Sequence, residues 1–541
     1  MAAHFTITPV LGNDNESPLS LYLDARQAYD SSDFTFAAKY FGKLDISQFP
    51  IAQRLRILGY EFSSHLSGGD IDAALAVVER AKDINAQTGF NDLHLPILDA
   101  FAEGDFAALT LQETGTNLIG EFIIRTAKAW AYAAQGQKDA AIAEIDNPDL
   151  HPGMEHLLLN TKVSLYNFLG KYQNTIATIT KRNGQETPLR SYMHYLHALT
   201  KIQGRDQALE LARNYQTDDR NAPVWIIFQD FAKKLESGHY EQFTIKNAQE
   251  GMAETLLQLA AGVQNMPPHD KLQLLQLARH ISPIPEIDFH IANTFYDLRN
   301  YKTAIAYFEL LNKSHSLNLD IQRRIAITMI ADDQKEDALD RLYKLHARYP
   351  DHIQIARSLS QTLRRDEQWQ QASDVLSTTL SQYQEPIPEN WQLFFERGIA
   401  FEHARNWARA EQDLVVALDF QPENPYLLNY LGYSLIDRGK DIDRGMQLIR
   451  KAIGLSENNG MIIDSLGWAH YLQGNYTDAV RYLEQAIALE PSDPVINDHL
   501  GDAYWHVGRK REAEFQWQRA IDLSDDEELA KKIDTKLDQG L

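Results

Sequence analysis

Short side chains recur through this sequence at a nearly fixed period, and that recurrence limits the fold more than any other feature. Gly398, Gly432, Gly467 and Gly501 follow one another at steps of 34, 35 and 34 residues. Twelve or thirteen positions after each comes a second small residue: Ala410, Gly445, Ala479 and Ala513. Seven positions further on stand Ala417, Ala452, Ala486 and Ala520. Large apolar residues precede three of the glycines (Leu431, Leu466, Leu500), Tyr504 holds an aromatic position, and Pro422 and Pro491 close two of the units. Two antiparallel helices can cross closely only where the contact points are Gly or Ala, with larger side chains filling the grooves around them. The pattern predicts stacked helix hairpins, each packing on its neighbours.

The phase runs back through the chain. Ala304, Ala338 and Ala372 lie 34 residues apart, and the step of 38 to Ala410 absorbs an insert around Glu385-Pro386-Ile387-Pro388. Upstream, Ala74, Ala108, Ala141, Thr175, Ala208 and Phe243 continue the series, and Ala37 begins it. Most follow a Gly-led turn, at Gly69, Gly104, Gly136, Gly170 or Gly204. Between Phe243 and Ala304 there is room for one irregular unit, with helices expected near Ala253–Gln264 and Lys271–His280. The whole chain therefore reads as about fifteen helical hairpins, an all-α solenoid. Its expected parts are an N-terminal extension (1–18), degenerate repeats (19–266), intermediate repeats (267–384), regular repeats (385–524) and a C-terminal capping helix or tail (525–541). Pro267-Pro268 and Ser282-Pro283-Ile284-Pro285 mark the expected bend or boundary.

Composition removes several functional classes. A formal net charge of −23 disfavours general nucleic-acid binding, which needs cations to displace phosphate counterions, and docking on anionic lipid. No cysteine is present, so disulfides, thiolate metal sites, cysteine nucleophiles and a lipobox cysteine are excluded within this chain. The apolar run Leu256 to Val263 is too short to span a bilayer. Met1 to Asn15 lack a basic start, and Thr6, Thr8 and Pro9 interrupt their apolar stretch, so no secretory signal is read there. Taken alone, that points to the cytoplasm.

Spacings that carry chemistry are missing. Gly439-Lys440 is followed by Asp441, without the glycines of a phosphate loop. Glu155-His156 and Glu402-His403 lack a second histidine at ligand spacing. Asp498 and Asp502 lie one helical turn apart, but no nucleophile or base is implied beside them. The expectation is a non-enzymatic protein with no catalytic residue, cofactor or metal.

The offsets of the small residues and their neighbours resemble the tetratricopeptide repeat (TPR) family. The resemblance implies a right-handed superhelix whose inner wall is made by the first helix of each repeat, with positions two, five, nine and twelve pointing inward. Those positions are Tyr426, Asn429, Tyr433 and Ile436, then Met461, Asp464, Trp468 and Tyr471, then Val495, Asp498, Asp502 and Trp505. Each set follows helical spacing and lies on one face. The expected protein-binding residues are Tyr426, Asn429, Tyr433, Asp464, Trp468, Tyr471, Asp498, Asp502 and Trp505, since rigid aromatics are frequent binding hot spots. For Trp468 and Trp505, packing between neighbouring helices is an equal alternative, and Trp517, on a second helix, is assigned to the core. Members of the family that grip a carboxylate terminus do so with basic residues. The aspartates here would repel such a ligand, so basic or apolar segments are favoured.

The strings Leu428-Asn429-Tyr430-Leu431-Gly432-Tyr433-Ser434, Ile463-Asp464-Ser465-Leu466-Gly467-Trp468-Ala469 and Ile496-Asn497-Asp498-His499-Leu500-Gly501-Asp502-Ala503-Tyr504-Trp505 resemble a bacterial family of long envelope TPR proteins, as does Phe515-Gln516-Trp517. That family includes lipoprotein adaptors of carboxyl-terminal-processing proteases. The resemblance implies a scaffold or adaptor, in the periplasm or cell envelope, for protein or peptide partners. A cytoplasmic regulatory protein with a soluble partner, or one that self-associates, is the alternative.

Overall fold

The computed structural model describes residues 17–84, 95–110, 118–147, 154–182, 187, 189–214, 223–239, 244–263, 265–311 and 318–541. Among these residues the regular structure is helical, with no strand. The phase marker Phe243 and residues 1–16, most of the expected N-terminal extension, lie outside them. The chain divides into two compact units, Met1–Ala338 and Leu339–Leu541. The proline pairs at 267–268 and 282–285 therefore turn the chain inside the first unit instead of bounding one.

In the second unit the period becomes architecture. Five hairpins follow one another: Ile353–Arg365 with Trp369–Leu380, Trp391–His403 with Trp407–Phe420, Pro425–Asp437 with Ile442–Leu455, Gly460–Leu472 with Tyr476–Leu489, and Pro494–His506 with Lys510–Leu523. Glu527–Gln539 adds a last helix. Asn424, Asn459 and Asp493 cap three of the first helices, each side chain accepting from backbone N–H groups of the opening turn, which satisfies donors that a helix start leaves open. Pro425 and Pro494 stand at the first helical position, where a missing N–H costs nothing.

The small residues sit where the two helices of a hairpin touch. A methyl group on Gly432 would lie 2.8 Å from the Gly445 carbonyl oxygen and 2.9 Å from Ile449, and one on Gly445 would lie 2.7 Å from the Gly432 carbonyl. Ala410, Ala417, Ala452, Ala479, Ala486, Ala513 and Ala520 are all fully buried. So are Ala304, Ala338, Ala141, Ala208, Ala74 and Ala37. The turn between paired helices is also periodic, because its residue adopts a left-handed backbone. Gly69, Gly474 and Gly508 do so with φ of 84°, 77° and 83°, and Arg299, Asp333, Glu367 and Arg405 do so with φ of 58–61°. The glycines were visible in sequence. The four charged residues were not, since a left-handed L-residue costs only about 1–2 kcal/mol and hairpin packing overrides it.

The first unit departs from a continuous march of hairpins. The irregular segment is indeed two helices, Ala248–Gly262 and Pro268–Ile281, but they do not simply extend the stack. Helix 248–262 lies against the first helices Leu118–Ala134 and Met154–Phe168 of earlier hairpins, and helix 268–281 lies against Ile51–Gly68 and Leu95–Glu103. The chain thus returns along the first helices toward its own start. The next hairpin, Pro285–Asp297 with Tyr301–Leu311, meets the opening one: Asn300 Nδ2 donates to the Ser32 carbonyl at 2.9 Å, and Phe295 packs on Phe34. Nine large apolar side chains of the returning pair are buried: Met252, Leu256, Leu257, Leu259, Leu272, Leu274, Leu275, Leu277 and Ile281. At about 1.5–3 kcal/mol for each fully buried side chain, this pair is a major part of the first unit's core.

Gly432→Ala is expected to destabilise the second unit by about 1–3 kcal/mol through overpacking. Gly454→Ala, on an exposed position with nothing within 4 Å of the added methyl, should instead stabilise by about 0.5–1 kcal/mol. Denaturant unfolding of the two variants checks the opposite signs.

Candidate functional site

The inward positions of the last three regular hairpins bring the nine predicted residues onto three successive first helices. Their environments differ sharply. Tyr426 is 64% exposed, whereas Asp464, Asp498 and Asp502 are buried, and Asn429, Tyr433, Trp468, Tyr471 and Trp505 are half-buried. Ile436 is buried core.

The aspartates do not present free charge. Asp464 faces the next first helix and meets His499 Nδ1 at 3.0 Å. Asp498 and Asp502 both accept from Lys536 Nζ of the last helix, at 2.6 and 2.8 Å, and Asp502 also accepts from the indole N–H of Trp517 at 2.9 Å. Upstream, Arg357 bridges to Glu396, and Arg438 and Ser434 reach Glu402. Positions on this side of a first helix therefore bolt it to its successor. Each carboxylate at Asp464, Asp498 and Asp502 has a cationic or donor partner within the chain. Repulsion of a carboxylate ligand, expected from bare aspartates, is thereby offset.

Burial and the neighbouring Asp498 raise the Asp502 carboxyl above its usual range, against the lowering effect of Lys536. At His499 burial alone would lower the imidazole pKa, but Asp464, with Asp498 and Asp502 behind it, raises it overall. The Tyr433 hydroxyl is pushed up to about 12 by burial and by Asp437, Asp464 and Glu402.

The aromatics are engaged as well. The Trp468 ring stacks on His499 at 3.9 Å between centroids and on Tyr471 at 4.5 Å. Trp505 packs against Trp517, with Lys510 Nζ 3.0 Å from its ring centre and Gly540 closing over it. Trp517 itself is fully buried, as assigned.

What is left open is an edge. Tyr426, Met461 and Val495, the second residue of each of three successive first helices, are 64, 60 and 44% exposed. Leu455 and Leu489, which end the preceding second helices, are exposed beside them in sequence. Glu423, Glu457 and Glu490, in or just before the connecting loops, are exposed too. Sequence reading placed Met461 and Val495 on the wall but not in the site. The loop acids and Leu455 and Leu489 it missed, although their spacing of 33 to 34 residues was a usable signal.

Among the described residues no group of three His, Asp or Glu side chains is placed to hold a metal, and no helix is long and apolar enough to cross a membrane.

Repeated hairpins, close crossings at small residues and a shared register define the class of the molecule: an α-helical chain that carries tetratricopeptide repeats. Family models described as Tetratricopeptide repeat match residues 358–425 and 463–493. The TPR repeat-containing protein PA4667 of Pseudomonas aeruginosa (strain PAO1) is 33% identical over 168 residues, covering 31% of this chain and 28% of that protein. The match thus spans less than a third of that relative. Among solved structures, the yeast Tom70 overlaps 97% of this chain and 95% of its own at 12% identity and a TM-score of 0.38. The Cut9–Hcn1 hetero-tetramer of the APC/C overlaps 97% of each chain at 14% identity and 0.39. A tetratricopeptide repeat protein from Parabacteroides merdae overlaps 46% of this chain and 96% of its own at 14% and 0.40. Likeness at this level carries no inference about function. Stacked repeats in general create extended surfaces for binding other proteins.

Two outcomes test the polar contacts. Lys536→Met leaves two buried carboxylates without their cation and should cost about 3 kcal/mol or more, less as pH falls and Asp502, its carboxyl raised by burial and Asp498, takes up a proton. Adding Asp498→Asn and Asp502→Asn should restore much of the loss in chemical denaturation. For His499 the folded pKa lies above the unfolded value of about 6.5, so its contribution is full below that pH and is lost as pH rises through the folded value. His499→Gln should remove that decline from a stability–pH profile.

Proposed function

We propose that this chain is a non-catalytic protein-interaction scaffold that takes an apolar, basic segment of a partner along Tyr426, Met461 and Val495. Asn429, Tyr433, Trp468 and Tyr471 extend the surface inward, while Asp464, Asp498, Asp502 and Trp505 hold the helices that carry it. One observation supports this reading above the rest: large apolar side chains stand exposed at the same register position in three consecutive repeats. Isolated exposed apolar residues are ordinary, whereas a contiguous set marks an interaction surface. The exposed Glu423, Glu457 and Glu490 along the same edge favour a partner that brings Lys or Arg to the rim, where such charges act mainly on association rate and specificity.

The finer reading is an adaptor in the cell envelope that presents substrates to a processing protease. It draws on the resemblance carried by the strings around Gly432, Gly467 and Gly501. A cytoplasmic regulatory role is the competing reading, and fractionation of the native protein separates the two.

Affinity capture with the intact chain, followed by quantitative binding of each recovered partner, tests the site. Tyr426→Ala with Met461→Ala should weaken binding by about 2 kcal/mol or more if these are hot spots, roughly 30-fold. Trp468→Ala with Trp505→Ala should act partly through stability, seen as a parallel fall in the unfolding midpoint. Unchanged affinity in a folded Tyr426/Met461 variant rejects the site.

A further inference from the structure

The two returning helices of the first unit fit the helices beneath them residue by residue. Glu254, 2% exposed, is gripped by Arg190 through Nε at 3.2 Å and Nη2 at 2.9 Å, and by His194 Nε2 at 3.0 Å. Burial alone would raise the Glu254 carboxyl, but Arg190 and His194 hold it well below the usual range. Thr255 accepts from the Trp130 indole at 3.1 Å, and Gln258 accepts from Asn160 at 3.0 Å. On the second helix Gln273 donates to Ser63 at 2.6 Å, Gln276 donates to the Ser67 carbonyl at 3.2 Å, and His280 meets Asp99 at 2.8 Å. Any side chain larger than hydrogen at Gly251 would run into the Trp130 ring. Five first helices, 51–68, 95–103, 118–134, 154–168 and 189–202, thus each contribute at least one polar contact to the pair.

Burial separates a removable lid from a built-in core. A lid keeps one polar face toward water, as an amphipathic surface helix does, whereas a helix buried all round belongs to the interior. Residues 251–257 are buried without a break, and so are residues 272–278. Seven consecutive buried residues cover every side of an α-helix. Neither helix has a solvent face along these stretches.

We infer that the first helices of the N-terminal unit form a binding groove for a helical hairpin, and that the chain's own residues 248–281 occupy it permanently. The groove is an internal site with a resident ligand: apolar, small at Gly251, and anchored by a buried carboxylate on a guanidinium and an imidazole. It takes no external partner, and recognition falls to other surfaces. The first unit in consequence does not behave as a chain of independent neighbours. Contacts such as Gln273 with Ser63, 210 residues apart, and Trp130 with Thr255, 125 apart, tie distant hairpins into one cooperative block, unlike a simple repeat array whose stability is a sum over nearest neighbours.

Native-state hydrogen exchange of the full chain under rising denaturant tests this. The amides of 251–257 and 272–278 are expected to merge with those of helices 118–134 and 154–168 into a single opening, with the same midpoint and the same denaturant slope. Glu254→Gln, which keeps the shape and removes the charge, should speed exchange of both sets by the same factor, at least tenfold. If the 248–281 amides open at lower denaturant while helices 118–134 and 154–168 stay protected, in the wild-type chain or the variant, the pair is a displaceable lid and the inference fails. The wild-type measurement decides even if the variant does not fold.

Discussion

Close contact between paired helices at Gly and Ala is the constraint on which the rest depends. At Gly432 and Gly445 the backbones approach until each carbonyl lies within about 3 Å of where the other's methyl would be. That distance permits the large side chains above and below, Leu428, Leu431, Ile449 and Ile436 among them, to close over the crossing and become core. A packed interior has no slack for even one added carbon, so the crossing fixes the geometry of each hairpin. With that geometry fixed, successive first helices must come within reach of one another.

Their meeting line is where the polar residues went. Asp464 with His499, Asp498 and Asp502 with Lys536, and Arg357 with Glu396 form one recurring kind of contact. Buried pairs of this kind gain less than their Coulomb attraction suggests, because both charges lose water. Their effect is on register: a helix displaced by one turn leaves a carboxylate buried and unpaired. The accessible apolar row at Tyr426, Met461 and Val495 owes its alignment to that register.

The two units use the same hairpin in different ways. In the second unit the inward side chains are held by the neighbouring first helix or remain exposed. In the first, the inward side of the helices is covered by residues 248–281, so that Trp130, fully buried, serves as core where Trp468 is only half-buried. This also accounts for the degenerate look of the N-terminal repeats. A helix packed on both sides is selected for continuous apolar surface, and helix 118–134, with ten buried residues of seventeen, shows it.

The sequence by itself determined the hairpin, its period and the identity of the close contacts, because those depend on residues within one repeat length, where small side chains are the sole solution. It also determined that Trp517 is core. It exposed the inward face of the first helices as a set of positions, Tyr426 to Trp505, but not which of them are free. Whether Asp498 is a surface charge or the partner of Lys536 depends on a residue 38 positions away, in a helix whose placement no local pattern fixes. The course of residues 248–281 was likewise beyond local reading. The sequence marked two helices there, yet only tertiary structure could choose where they are buried, since contacts made across as many as 210 residues leave no period behind them.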